Sequence, residues 1–368
     1  MKFGIVSSRS RYRVGSGGGL GRGLVWLSLA LSLAAGAAHG ASTTEVGSAT
    51  VSGGSFDGTI VDCPLGTSAR SGGTDVENVL TMRVTTNAPR FPEGSLFSQP
   101  DGPASAPSGW TGFAVNTTGS PLAMKVGAVC SPDFALSAVV GSATVAAGSF
   151  NNASVSCPGG MVAVGGGVDL ENVLTMTVTE SAPVFPGPLY LGSAPDGENP
   201  APIGWVASAR NDDTVPKDLK IAVICSAVAA TTWVESRQIA PGSFGGANIP
   251  CPVGRETLGG GIRPENVLTM SVTSTAPLFG GVSIFLAQQP DGTAAAPVGW
   301  SGFARNDDSV SKFVKVAAIC APEPGAAASV ATALVGLGLL RWLPRSARSC
   351  HRSRYRTKTP LVLTMLGH

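Results

Sequence analysis

A chain of 368 residues with 49 glycines and 27 prolines, of which only 13% are charged, implies many tight turns and few long amphipathic helices. Its formal charge of +2 conceals a split, because 12 of the 25 Lys and Arg lie at the two ends, leaving 13 basic against 22 acidic residues, or −9, between Ala41 and Ala321. So acidic a middle is a poor partner for nucleic acid, and the three histidines (His39, His351 and His368) all lie outside it, which removes Ser-His-Asp and Cys-His catalysis and histidine metal sites.

The first element is basic residues followed by the uncharged run Leu24 to Ala38 and then Ala38-His39-Gly40, the pattern of a secretion signal spanning residues 1–40. Signal peptidase is expected to cut between Gly40 and Ala41. The run of 15 residues is short for a stable span, which needs about 20, so the middle is expected outside the cell and soluble.

From there the chain repeats itself at a period of 94 to 95 residues. Gly-Ser-Phe begins at Gly54, Gly148 and Gly242; Glu-Asn-Val-Leu-Thr-Met begins at Glu77, Glu171 and Glu265; Pro-Asp-Gly begins at Pro100, Pro195 and Pro290; Gly-Trp ends at Trp110, Trp205 and Trp300. A period this long marks complete small domains in tandem, since solenoid repeats run to roughly 20–50 residues. The spacing places them at 43–131, 137–226 and 231–321, with linkers short enough for neighbours to touch.

Alternation within a unit is that of strands. Leu80, Met82 and Val84 share one face and Thr81, Arg83 and Thr85 the other; Met124, Val126, Ala128 and Cys130 alternate with Lys125, Gly127 and Val129 near the end of the unit. One face on a core and one in water is the expectation. The fold class is therefore all-β: three tandem antiparallel β-sandwich-like domains, each of about six to eight strands and one disulfide, between an N-terminal signal helix and a C-terminal apolar helix. An immunoglobulin domain is excluded by spacing, because the repeated Trp lies 47 to 49 residues after the first Cys of its unit rather than soon after it.

Of the seven cysteines, six fall two to a repeat, and the separations of 67, 68 and 69 residues pair Cys63 with Cys130, Cys157 with Cys225 and Cys251 with Cys320. Metal ligation would want clustered Cys or His, which the spacing does not supply, so no metal and no cofactor is expected. Glu77, Glu171 and Glu265 are the recurring carboxylates, and each reads better as a turn partner at a strand entrance than as an acid or base. Trp110, Trp205 and Trp300 are the recurring aromatics; stacking on sugar is open to them, but the small residues at +2 and +4 suit a ring packed flat over its own strand. Asp212–Asp213 and Asp307–Asp308 read as loop tips rather than Ca²⁺ ligands, because the first repeat has Thr117 and Thr118 there. Gly165–Gly167 and Gly259–Gly261 are not phosphate loops, since no Lys-Ser/Thr follows them.

After Cys320 come Pro322-Glu323-Pro324, the uncharged run Gly325 to Leu340, and Arg341, Arg345 and Arg348. This order over residues 322–348 resembles the PEP-CTERM sorting signal of Gram-negative bacteria. The resemblance implies recognition of Pro322, Glu323 and Pro324 by an exosortase-like processing enzyme, with the helix and arginines as a stop signal, and delivery to an envelope rich in exopolysaccharide. The 16 apolar residues make a helix of about 24 Å, enough for a short or transient membrane anchor with its arginines on the cytoplasmic side. The chain departs from the family pattern by continuing as a basic tail over 349–368. The expected function is a non-enzymatic protein of the cell surface or extracellular matrix, with no catalytic residue, whose repeats bind or scaffold exopolysaccharide or another envelope component. A polysaccharide hydrolase or lyase and a passive surface spacer are the alternatives.

Overall fold

The structure, a computed structural model, describes residues 42–132, 135–187, 189–280 and 285–323. The signal segment with Gly40 and Ala41 lies outside the described residues, as do Pro324, the apolar run, Arg341, Arg345 and the basic tail. Among the described residues no helix is long and apolar enough to cross a membrane.

The first repeat forms β1 (Thr43–Val51), β2 (Phe56–Asp62), β3 (Ser68–Val76), β4 (Met82–Arg90), β5 (Gly102–Ala104), β6 (Gly109–Asn116) and β7 (Leu122–Ser131). The second forms β8 (Ser137–Val145), β9 (Ser149–Ser156), β10 (Val162–Leu170), β11 (Met176–Phe185), β12 (Leu189–Tyr190), β13 (Gly197–Asn199), β14 (Gly204–Asn211) and β15 (Lys217–Ser226). The third forms β16 (Thr231–Ile239), β17 (Phe244–Pro250), β18 (Arg255–Pro264), β19 (Met270–Leu278), β20 (Gly292–Ala294), β21 (Gly299–Asn306) and β22 (Lys312–Pro322). The protein is all-β in this region, as the alternation predicts.

Within the first repeat β1-β7-β3 faces β2-β6-β4, and the Cys63–Cys130 disulfide ties β7 to the end of β2. Cys157–Cys225 and Cys251–Cys320 do the same in the other two repeats. Neither half-sheet ends at the repeat boundary. β4 pairs with β10 at Asn87 and Val168, β11 with β18 at Ser181 and Ile262, and β19 returns to β3 at Thr275 and Thr74. Three long sheets result, ordered β2-β6-β4-β10-β15-β8-β5, β9-β14-β11-β18-β22-β16-β13 and β17-β21-β19-β3-β7-β1-β20, with β12 attached to β11. Each repeat also lends a short strand to its successor: β5 to β8, β13 to β16, and β20 back to β1. The tandem units are thus fused into a closed three-fold ring.

Closure corrects the expected one-sided sheets. Met82 and Val84 are buried as predicted, but Leu80 stands exposed in the turn before β4, and on the face expected in water Thr85 is fully buried while Arg83 is only partly covered. Beyond the bulge at Thr85, Thr86 and Asn87 are buried as well. The cause is the neighbouring repeat, which covers the second face of each inner strand. Gly127 on β7 is covered in the same way, for a Cβ there would lie 3.0 Å from Leu286 of the third repeat.

The repeated glycines and tryptophans build the core. Trp110, Trp205 and Trp300 are at most 1% exposed, and each indole lies against a glycine of the facing sheet (Gly72, Gly166 and Gly260), where an added Cβ would approach the ring to within 2.2 to 2.4 Å. The rings therefore pack across the sandwich rather than over their own strands. Indole N–H groups donate to Asn87 Oδ1 (2.7 Å), Ser181 Oγ (3.1 Å) and Thr275 Oγ1 (2.9 Å), one equivalent side chain per repeat. At the centre of the ring the first position of each triplet meets its counterparts: a Cβ on Gly165 would lie 2.8 Å from the Ser71 side chain, one on Gly259 2.9 Å from it, and Ser71 Oγ donates to Leu258 O (2.6 Å).

Candidate functional site

A cleft opens where the third repeat closes on the first. Its cavity of about 580 Å³ falls in the range of small-ligand sites, roughly 300–1,000 Å³. Phe244 at the start of β17, Phe303 on β21 and Phe285 line it from the third repeat, and Val79 and Ala123 line it from the first. Phe285 meets Phe303 edge to face at 5.8 Å between ring centroids, the favoured geometry for an aromatic pair. Glu77, Lys125 and Gln288 bring polar groups to the lining.

Those polar groups are held in place. Glu77 Oε2 accepts from the Ala123 N–H (2.6 Å), while Lys125 pairs with Asp291 (3.0 Å) and donates to the Gln289 carbonyl. Asp75 sits deeper, where burial pushes its pKa up against the opposing hydrogen bonds from the Ala287 N–H (3.0 Å) and Ser274 (2.8 Å).

Phe244 belongs to the Gly-Ser-Phe mark, and its counterparts Phe56 and Phe150 are equally open, at 42% to 44% exposure. The three seams are not equally aromatic, however. Where the third–first seam has Phe244, Phe285 and Phe303, the first–second has Phe56, Ser95 and Phe113, and the second–third has Phe150, Tyr190 and Ser208, with Arg263 stacked over Tyr190 at 5.3 Å. Sequence reasoning missed these rings; the recurrence of Gly-Ser-Phe is a signal that could have found Phe56, Phe150 and Phe244, and nothing comparable marks Phe285. An aromatic at the same place in every copy, next to a turn, is better placed to be exposed than one flanked by small residues inside a strand.

The sequence-derived candidates fall elsewhere. The three tryptophans are core residues with no exposed face for a sugar. Glu171 and Glu265 repeat the role of Glu77, accepting from the Asp218 and Phe313 N–H groups (both 2.7 Å), so all three carboxylates close a turn onto the last strand of their repeat. Asp212 and Asp307 pair with Arg210 and Arg305, and Asp213 and Asp308 accept from Thr175 and Thr269. Among the described residues no group of three or more His, Cys, Asp or Glu is placed to hold a metal ion. Pro322 ends β22 and Glu323 follows it, both exposed, with the Glu323 N–H donating to Gly254 O (3.0 Å).

Fold and cleft together define an all-β protein of three disulfide-stapled repeats fused through shared sheets. The chain matches no known protein-family model, and no curated protein matches it.

Proposed function

We propose that this chain is a non-enzymatic exported protein of the cell surface or extracellular matrix, sorted there through its PEP-CTERM-like tail, whose ring of repeats binds or scaffolds envelope polysaccharide. The observation that carries the reading is the cleft of Phe244, Phe285 and Phe303 with Glu77, Lys125 and Gln288 on its lining. Aromatic faces take the C–H face of a sugar ring while fixed polar groups take its hydroxyls. Two more exposed phenylalanines at equivalent positions offer a long polymer further contacts, and linked weak contacts raise avidity through effective concentration. Three disulfides support an oxidising compartment. Exposure of Pro322 and Glu323 at the end of β22 supports access for a processing enzyme.

The test uses protein recovered from the envelope and medium of a producing cell. Mass spectrometry is expected to find a product that begins near Ala41, ends near Pro322–Pro324 and carries three disulfides. That product should be retained on native exopolysaccharide, and Phe244→Ala with Phe285→Ala should weaken retention by about fivefold or more while leaving thermal unfolding cooperative. Failure of the unaltered protein to bind any envelope polysaccharide fraction overturns the binding claim.

A further inference from the structure

On the ring axis, a second and smaller pocket of about 130 Å³ takes its lining from all three repeats, including Arg83, Thr177, Arg210, Ser271 and Arg305. We propose that this three-arginine pocket binds one small oxyanion, a carboxylate, sulfate or phosphate group. The arginines form a cycle, each reaching the next repeat: Arg83 donates to Leu174 O (2.6 Å), Arg210 to Leu268 O (2.8 Å) and Arg305 to Leu80 O (2.5 Å). These bonds fix three guanidinium groups around one space.

The charges there do not balance. Asp212 pairs with Arg210 (2.9 Å) and Asp307 with Arg305 (2.6 Å), but the corresponding position in the first repeat is Thr117, whose hydroxyl donates to Thr81 O (2.8 Å). Three guanidinium charges against two carboxylates leave 3 − 2 = +1, centred on Arg83. Burial lowers the Arg83 pKa, Asp212 opposes that and Arg210 adds to it, so the cation gains from a counter-charge.

An independent observation points the same way. Of the eleven side-chain polar atoms buried without a hydrogen-bond partner among the described residues, three, Arg83 Nε, Thr177 Oγ1 and Thr81 Oγ1, belong to residues that line this one pocket. Thr177 is only 1% exposed. Native proteins leave few such groups unsatisfied. All three can donate, so a single group rich in acceptor oxygens satisfies them together while cancelling the charge. The volume gives room for one small oxyanion.

The test follows thermal unfolding of the full exported protein, disulfides intact, with sodium sulfate, sodium phosphate or a uronate oligosaccharide, each against sodium chloride of equal ionic strength. At least one is expected to raise the unfolding temperature by about 2 °C or more beyond chloride. A response to the inorganic anions alone assigns a free ion; a response to the uronate assigns the acid group of a polymer. Arg83→Met should abolish the response. Thr177→Val, which keeps the shape and removes only the unpartnered hydroxyl, should fold as well as the parent and weaken the response. Equal responses in the parent and both variants, or none in the parent, overturn the site.

Discussion

Glycine and tryptophan fix the interior at the scale of single residues. The second glycine of each triplet is the only residue type that leaves room for the indole opposite, and the third faces the preceding repeat: a Cβ on Gly167 would lie 2.4 Å from Asn87 O, and one on Gly261 2.6 Å from Ser181 O. Neither neighbour can yield, the one being a buried ring and the other backbone. Gly166→Ala is therefore expected to destabilise the protein by about 2–3 kcal/mol in denaturant unfolding, the usual scale of overpacking a closed core. A loss under about 0.5 kcal/mol would mean that Trp205 has somewhere else to go.

At the scale of elements, the seams carry matched pairs at equivalent positions. Thr86 donates to Asp169 (2.9 Å) where repeats one and two meet, Arg263 bonds Glu180 (2.6 Å) where two meets three, and Ser274 donates to Asp75 (2.8 Å) where three meets one. Seating the Glu180 edge against Asp75 or Asp169 would bring two buried carboxylates together, so the pairs also specify the order of closure. Glu180→Arg and Arg263→Glu should each destabilise strongly, and the double swap should recover about 1–3 kcal/mol of coupling in a double-mutant cycle. No recovery would show that the pair is a by-product of packing. Pro-Asp-Gly, legible in the sequence as a turn, serves the seams too: Asp101, Asp196 and Asp291 each accept from a serine of the next repeat (Ser142, Ser236 and Ser48, all 2.6 Å).

For the whole molecule, shared sheets predict one unfolding event rather than three, with a particular dependence on pH. Burial raises the pKa of Asp75 and Asp169 at the seams, so the folded state holds their protons more tightly than the unfolded chain does. Their stabilising effect is complete below the ordinary aspartate value of about 3.9 and is lost as pH rises through the higher folded value. Asp101 and Asp291 behave oppositely. Hydrogen bonds from Ser142 and Ser48 hold their pKa down, so their contribution is present above about pH 3.9 and disappears as pH falls through the folded value. Calorimetry should show a single transition whose stability peaks in mild acid, with a flatter fall towards neutral pH in Asp75→Asn. Separate transitions would refute the coupled ring, and a peak at neutral pH or above would refute the raised pKa of the seam aspartates. Each disulfide closes a separation of 67 to 69 residues, worth about 4 kcal/mol on the chain-entropy model, and loss of any one should lower that single transition.

The sequence alone determined the strands, because alternation and turn residues act over a few neighbours. It also determined the disulfide pairing, because two cysteines to a repeat leave one regular solution. Tertiary structure decided the rest, because β19 meets β3 about 200 residues away and nothing local to Thr74 or Thr275 records the meeting. That closure buries the face of β4 expected in water, makes Pro-Asp-Gly a clasp, brings Phe285 to a cleft with Val79, and gathers Arg83 onto one axis with Arg210 and Arg305, which stand at a different place in their repeats.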